Sequence, residues 1–317
     1  MLLLFAALAC TKEEPQDSDS PTEGCGDLAT VTGVLTDDAG AVVSGGTVRA
    51  WESADSTPLE AVTDASGVYT FELSAGSWII DASHEYSSGA GDSGYTECYS
   101  DDYAVTLVDC DAKTVDIQFE ECATADKPNL YLYPESDLHM QVKVELGPKQ
   151  DIVASTPPHG AAGWSGTAHP DGRFTVDGQR HDFLFYEVSL APWQSRDLAG
   201  EETGWCVQGA DPAKQMGEHL AELGFSPREV ADFVEAWELD LPAAPGYRLE
   251  PLRAVDGMAD LVILPHMPVE RVWFVVSPDS GGCALPAPEW TLEREGVHGV
   301  EWGVILKGFP QNLGVVY

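Results

Sequence analysis

Two glutamates stand in unusually apolar company. Glu187 follows the run Phe183-Leu184-Phe185-Tyr186, and Glu301 sits beside Trp302. A carboxylate in such a strand is partly dehydrated, which raises its pKa and suits it to proton transfer. Two of them about 5–10 Å apart would supply the acid and base of a glycosidase. The same residues equally suit a structural role, each paired with an arginine, for which Arg173 and Arg271 are available. A second constellation is His159, His169, Asp171, His181 and Asp182. Histidines and carboxylates on adjacent strands can converge on zinc. Here the spacing is neither HxH nor HExxH, and His169-Pro170-Asp171-Gly172 also reads as a turn. A third candidate is Ser280, within Pro278-Asp279-Ser280-Gly281-Gly282. A serine nucleophile there would need a base, an orienting acid and an oxyanion hole.

These groups all fall in the stretch from residue 126 to 310, whose elements must position them. Asp126-Lys127-Pro128 marks a junction. Strands are expected at Asn129–Tyr133, at Met140–Leu146, where alternate residues are apolar, and at His181–Val188 after the Asp177-Gly178 turn. Two helices follow. One opens at Asp211-Pro212, carries Met216, Leu220 and Leu223 on one face, and stops at Gly224. The other opens at Ser226-Pro227-Arg228-Glu229, a capping box with proline at the first helical position. Val230, Phe233 and Trp237 form its apolar stripe. Strands return at Ala259–Leu264, Val269–Val276 and Gly299–Lys307. The pattern predicts an α+β domain with a mainly antiparallel sheet and a helical hairpin. Trp164, Trp193, Trp205, Trp237 and Trp302 could include a sugar-stacking platform, although tryptophans at such positions mostly fill a core.

The loop around Ser280 resembles the nucleophile loop of chymotrypsin-like serine proteases, and Thr167-Ala168-His169 resembles their histidine segment. Proline before Asp279, proline after His169 and two intervening helices depart from that pattern. The opening Lys127-Pro128-Asn129-Leu130-Tyr131-Leu132-Tyr133-Pro134 resembles a group of secreted bacterial proteins of unassigned function. In that group Tyr186-Glu187, Trp237 and Glu301-Trp302-Gly303 would match later features.

The chain begins MLLLFAALAC. Residues 1–9 are far shorter than the roughly 20 apolar residues needed to span a bilayer, but fit the core of a signal peptide. Ala7-Leu8-Ala9-Cys10 resembles a bacterial lipobox, which implies lipidation at Cys10. Residues 10–25 are acidic and rich in Ser and Pro, too polar to bury a core, and suit a tether. Acyl chains contribute about 0.8 kcal/mol per buried CH₂, so such an anchor would hold firmly. The expected location is the outer membrane or cell surface of a bacterium.

Removing Cys10 leaves Cys25, Cys98, Cys110, Cys122, Cys206 and Cys283, an even set that suits an oxidising compartment. If pairing stays within domains, the first holds two bridges and the second holds Cys206–Cys283. A Cys25–Cys122 bridge would close the first domain end to end. No CxxC pair points to structural zinc.

Asp and Glu number 53 against 16 Lys and Arg, a formal net charge of −37. That surface repels phosphate backbones and excludes nucleic acid as a partner. Calcium is compatible with it, as is plain solvation, and no cofactor is expected. Beyond the tether, roughly 290 residues suit two domains.

Residues 26–122 show short β-rich runs, VTGVLT, TVRAWE, VYTFEL and SWIIDAS, separated by turn residues. Thr32-Gly33-Val34, Asp37-Asp38-Ala39-Gly40, Gly46-Thr47-Val48, Thr63 to Phe71 and Ser74-Ala75-Gly76 resemble the carboxypeptidase regulatory-like domain, most closely over about 26–85. That resemblance implies a transthyretin-like all-β sandwich of seven strands, in a non-catalytic module. Tyr69 and Phe71 should share a face after a turn at Gly67.

The sequence thus predicts an exported, lipid-anchored envelope protein with a non-catalytic role, binding glycan or protein or serving as structure. A hydrolase with its site in the distal domain is the alternative. The two differ in one respect: an enzyme must bring at least two of the candidate groups into one cleft.

Overall fold

The structure is a computed structural model and describes residues 28–52, 56–87, 95–119 and 124–309. The leader, the tether, Cys10, Cys25 and Cys122 lie outside the described residues. The N-terminal part is built from β1 (Leu28–Thr36), β2 (Thr47–Trp51), β3 (Leu59–Val62), β4 (Val68–Ser74), β5 (Gly76–Ser87), β6 (Tyr95–Tyr99), β7 (Tyr103–Leu107), β8 (Ala112–Thr114) and β9 (Ile117–Gln118). One sheet runs β4-β1-β8 with β9 also on β1; the other runs β3-β2-β5-β6 with β7 also on β5. Both β8 and β9 lie parallel to β1. One core joins the sheets, from Val31 and Leu35 of β1 through Tyr69 and Phe71 of β4 to Val48 and Ile80. The turn before β4 is set by Asp64, whose Oδ1 accepts from the amides of Ser66 and Val68, and by Gly67 at φ +74°.

The C-terminal part contains β10 (Thr124–Tyr133), β11 (Leu138–Glu145), β12 (Ile152–Thr156), β13 (Trp164–Ala168), β14 (Phe174–Val176), β15 (Gln179–His181), β16 (Leu184–Ser189), β17 (Trp205–Gln208), β18 (Gly246–Leu252), β19 (Asp260–Leu264), β20 (Val269–Pro278) and β21 (His298–Leu306). Its helices are α1 (Pro192–Asp197), α2 (Pro212–Glu222) and α3 (Pro227–Trp237). A large sheet has the order β12-β16-β10-β21-β20-β18-β17, and a smaller one the order β15-β14-β13-β11-β19.

Alternation along the large sheet makes it the middle of three layers. Leu130, Leu132, Leu184, Tyr186, Trp273 and Ile305 face the smaller sheet and pack on Met140, Val142 and Trp164. The intervening residues Tyr131, Phe274, Val300 and Trp302 face the other way and pack on Met216, Leu220, Phe233 and Trp237 of α2 and α3. The two helices approach closely at Gly217, where a Cβ would lie 2.7 Å from the Val234 side chain. At the start of α3, Ser226 and Glu229 cap each other's backbone amides as a reciprocal pair.

The large sheet is mainly antiparallel, with one parallel pair at its centre. β20 and β21 pair in parallel along their length, whereas their other neighbours are antiparallel. A parallel pair needs a crossover, and residues 279–297 supply it without a helix. This segment starts on the smaller-sheet side, tied by the disulfide Cys206–Cys283 to edge strand β17. It ends on the helix side, where Leu292 joins the core and its amide donates to Leu223 O at 2.8 Å. The crossover is therefore a strap passing the β17 edge, to which the disulfide and the Gly204 amide's bond to Pro286 O tie it. Cys98 and Cys110 are also disulfide-bonded.

The two parts touch through the turn between β11 and β12. Lys149 reaches Ser100 O (2.7 Å), Asp102 (2.8 Å) and Asp81 (2.9 Å), and the Tyr99 hydroxyl donates to Asp151 at 3.1 Å.

Candidate functional site

Glu301 and Glu187 lie on opposite faces of the large sheet. The Tyr186 hydroxyl donates to Glu301, so Glu301 is on the Tyr186 face, and Glu187 follows Tyr186 on the same strand. They cannot act as a carboxylate pair across one substrate. Glu301 is wholly buried. Its second oxygen takes a hydrogen bond from Arg271 Nε at 2.5 Å, and Arg271 Nη2 donates to the Tyr186 oxygen at 3.3 Å. Arg271 also reaches exposed Asp256 at 3.3 Å, so the chain of charges runs from the core to the surface. Burial pushes the Tyr186 hydroxyl far up, and the Glu301 charge adds to this. Burial works against the Arg271 charge, but Glu301 outweighs it and raises that pKa. Arg271 is one of the two arginines the sequence offered as a partner. The group is a buried ion pair with a phenol attached.

The candidate histidines have separate places in the fold. His159 sits edge-on to Trp164, with ring centroids 4.6 Å apart, and its Nε2 accepts the Val144 amide at 3.1 Å. That role needs neutral imidazole. Burial lowers its pKa, and Lys143 lowers it further. His169 uses both ring nitrogens, on Asp137 and Thr175, each at 2.8 Å. Its backbone closes the expected turn, the Gly172 amide donating to His169 O at 2.9 Å. Asp171 binds Arg173 and Arg180. Burial acts to raise the Asp171 carboxyl, yet the two guanidiniums bring it down to about 2. Asp182 pairs with Arg173 and Arg228. His181 is half-buried on edge strand β15. Among the described residues no group of three or more His, Cys, Asp or Glu could hold a metal ion. Ser280 is exposed in the turn leading to Cys283, in the large sheet's strap, whereas His169 closes a turn of the smaller sheet.

The network that sequence reasoning missed centres on Glu229, which appeared there only as a cap. It is fully buried. Arg294 grips both its oxygens at 2.7 and 2.9 Å, the Tyr133 hydroxyl donates at 2.5 Å, and the Ser226 amide donates at 2.7 Å. Burial would raise the carboxyl; Arg294 and Tyr133 overcome it and hold the pKa low. The Tyr133 ring stacks on His298, and Gly172 lies against it so tightly that a Cβ would come within 2.6 Å. The network thus fastens α3, β10 and the β13–β14 turn together. The available signal was the Ser226–Glu229 capping box, which marks a helix start and says nothing of burial.

A cleft of about 390 Å³ opens on the smaller-sheet side of β18 and β20, beyond the reach of the smaller sheet. Arg248, Glu250, Val275 and Ser277 form its floor, the 198–202 segment one wall, and Leu285 of the strap another. None of the catalytic or metal candidates lines it.

No protein-family model matches the chain. An uncharacterized protein encoded in the bglA 3′ region of Butyrivibrio fibrisolvens is 39% identical over 62 residues, 19% of this chain; the chain spans 64% of that protein's length. Among solved structures, one similarity is to a Pseudomonas aeruginosa protein provisionally described as carbohydrate-binding (16% identity, 29% of this chain and 88% of that one, TM-score 0.22). Another is to a streptococcal ancillary pilin (15% identity, 53% of this chain and 55% of that one, TM-score 0.28). No helix among the described residues is long and apolar enough to cross a membrane.

Proposed function

We propose that this protein is a non-catalytic envelope lipoprotein, anchored through Cys10. In this reading a carboxypeptidase regulatory-like sandwich (26–122) stands near the membrane, and an α+β domain (126–310) presents a binding surface for glycan or protein beyond it. One observation carries the non-catalytic part. The groups able to do acid–base or nucleophilic chemistry are dispersed, Glu301 and Glu187 on opposite faces of a sheet, and Glu301, His159, His169 and Asp171 each engaged in structural bonds. Catalysis requires such groups to converge on one reacting centre. The even cysteine set and acidic tether support an exported, membrane-held protein.

The test has two arms. Mass spectrometry of the detergent-extracted protein should find a diacylglyceryl group on Cys10 and a mature chain starting there. Glycan and protein arrays probed with the soluble form should return a ligand, and chromogenic glycoside and ester substrates should remain uncleaved. Reproducible turnover of any of these substrates by the folded protein would favour the hydrolase instead.

A further inference from the structure

We propose that the cleft over β18 and β20 is a binding site for a neutral sugar unit. This rests on the glycan part of the reading above and gives it a place.

The first argument is charge. In a chain of net charge −37, the cleft's ionisable side chains are two acids, Glu202 and Glu250, and two bases, Arg248 and Lys307. They sum to zero. An anionic ligand would meet both the carboxylates and the repulsive field of the whole surface. The bases are also already engaged. Arg248 Nε and Nη2 lie 3.1 and 3.2 Å from the two Glu250 oxygens, and Lys307 Nζ donates to Leu198 O at 2.5 Å. What remains is a floor of adjacent donors and acceptors, with the Ser277 hydroxyl beside it. A sugar hydroxyl both donates and accepts, so vicinal hydroxyls suit such a paired floor.

The second argument is shape. Leu198 and Leu285 in the walls and Val275 in the floor give the cleft apolar surface for the C–H face of a pyranose ring. The volume falls within the range of about 300–1,000 Å³ usual for small-molecule sites.

The third is rigidity. The disulfide joins Cys206, opposite Arg248 in the β17–β18 ladder, to Cys283, two residues before Leu285. The Gly204 amide donates to Pro286 O at 2.8 Å, and the Glu201 amide to Pro251 O at 2.8 Å. Gly200 passes so close to the floor that a Cβ there would lie 2.4 Å from Glu250 Cβ. Both walls are tied to the floor before any ligand arrives, which reduces the ordering cost of binding.

The experiment uses the oxidised soluble chain on an array of neutral and acidic glycans. Titration with glucose, galactose, mannose and N-acetylglucosamine follows, read on the methyl resonances of Leu198, Val275 and Leu285. A neutral sugar should bind and shift those methyls. Ser277→Trp, which fills the cleft, and Arg248→Leu, which breaks the floor pair, should each weaken binding at least tenfold. Reduction of Cys206–Cys283 should weaken it as well. If Ser277→Trp fails to fold, the methyl shifts and Arg248→Leu decide. A glycan that binds equally well to the folded variants overturns the cleft and leaves the glycan reading standing. Binding of acidic glycans alone overturns the neutral class. An array with no bound glycan overturns both.

Discussion

Lys149 Nζ lies 2.9 Å from Asp81 Oδ2, joining a turn of the C-terminal layers to a buried acid of the N-terminal sheets. The Asp81 side chain is 1% exposed and also receives Arg49 at 3.0 and 2.8 Å. Lys149 adopts φ +59°, a costly conformation for a residue with a Cβ, so packing holds the turn there. Hydrogen bonds to charged groups contribute about 1.5–3 kcal/mol each, and Lys149→Met should destabilise by about that amount. In calorimetry the wild type should unfold as one transition and Lys149→Met as two, the C-terminal layers keeping their own midpoint. A variant that still unfolds in one step would mean that other contacts couple the two parts.

Glu301 is the acid whose partner matters most. Removing one member of a buried ion pair leaves the other uncompensated, at a cost of about 3–5 kcal/mol. Arg271→Met should show that loss in urea unfolding. Arg271→Met with Glu301→Leu should recover part of it, since apolar substitutes for a buried pair are often neutral. A double variant as unstable as the sum of the singles would deny the coupling.

Helices α2 and α3, the Tyr69–Phe71 face and the turn at His169 were legible in the sequence, because capping, alternation and Pro-Asp-Gly chemistry act over a few residues, whereas the short α1 was not. The candidate site was not. Whether Glu187 and Glu301 share a cleft depends on which face of a sheet each occupies, and strands far apart in sequence decide that. Arg248 and Glu250 carry no local signal either. They sit two apart on β18, which contains Pro251 and has only the short β17 at its edge. The parallel β20–β21 pair was hidden for a related reason: its crossover lacks the helix by which such units are recognised.

Acid should destabilise the fold in two stages. His159 has a lowered folded pKa, so the unfolded chain binds its proton first; stability is full above about 6.5 and falls below it. Asp171, held down to about 2, contributes stability above about 3.9 that is lost as pH falls toward 2, and depressed Glu229 acts in the same direction. His159→Gln keeps an acceptor near the Val144 amide but takes up no proton. It should reduce the slope between pH 7 and 5, to which His84, also lowered by burial, still contributes, and leave the acid limb unchanged. Urea midpoints across pH would measure this, and an unaltered upper limb in the variant would rule His159 out.

Cys206 and Cys283 are 77 residues apart. Removing a native disulfide costs about 2–5 kcal/mol, more for longer loops. Cys206→Ala with Cys283→Ala should fall in that range and loosen the β17 edge, seen as faster amide exchange at Cys206–Gln208 positions. Protection unchanged at β17 would show that the strap holds without its bond.

The centre of the large sheet is assembled from opposite ends of its sequence. β21 lies between β10 and β20, yet it is made last, after both have waited with a missing neighbour. Among the described residues, the N-terminal sheets take all their strands from β1 to β9. During synthesis the two parts therefore mature on different schedules. The early part can close once β9 has emerged, and the large sheet stays open until β21 has.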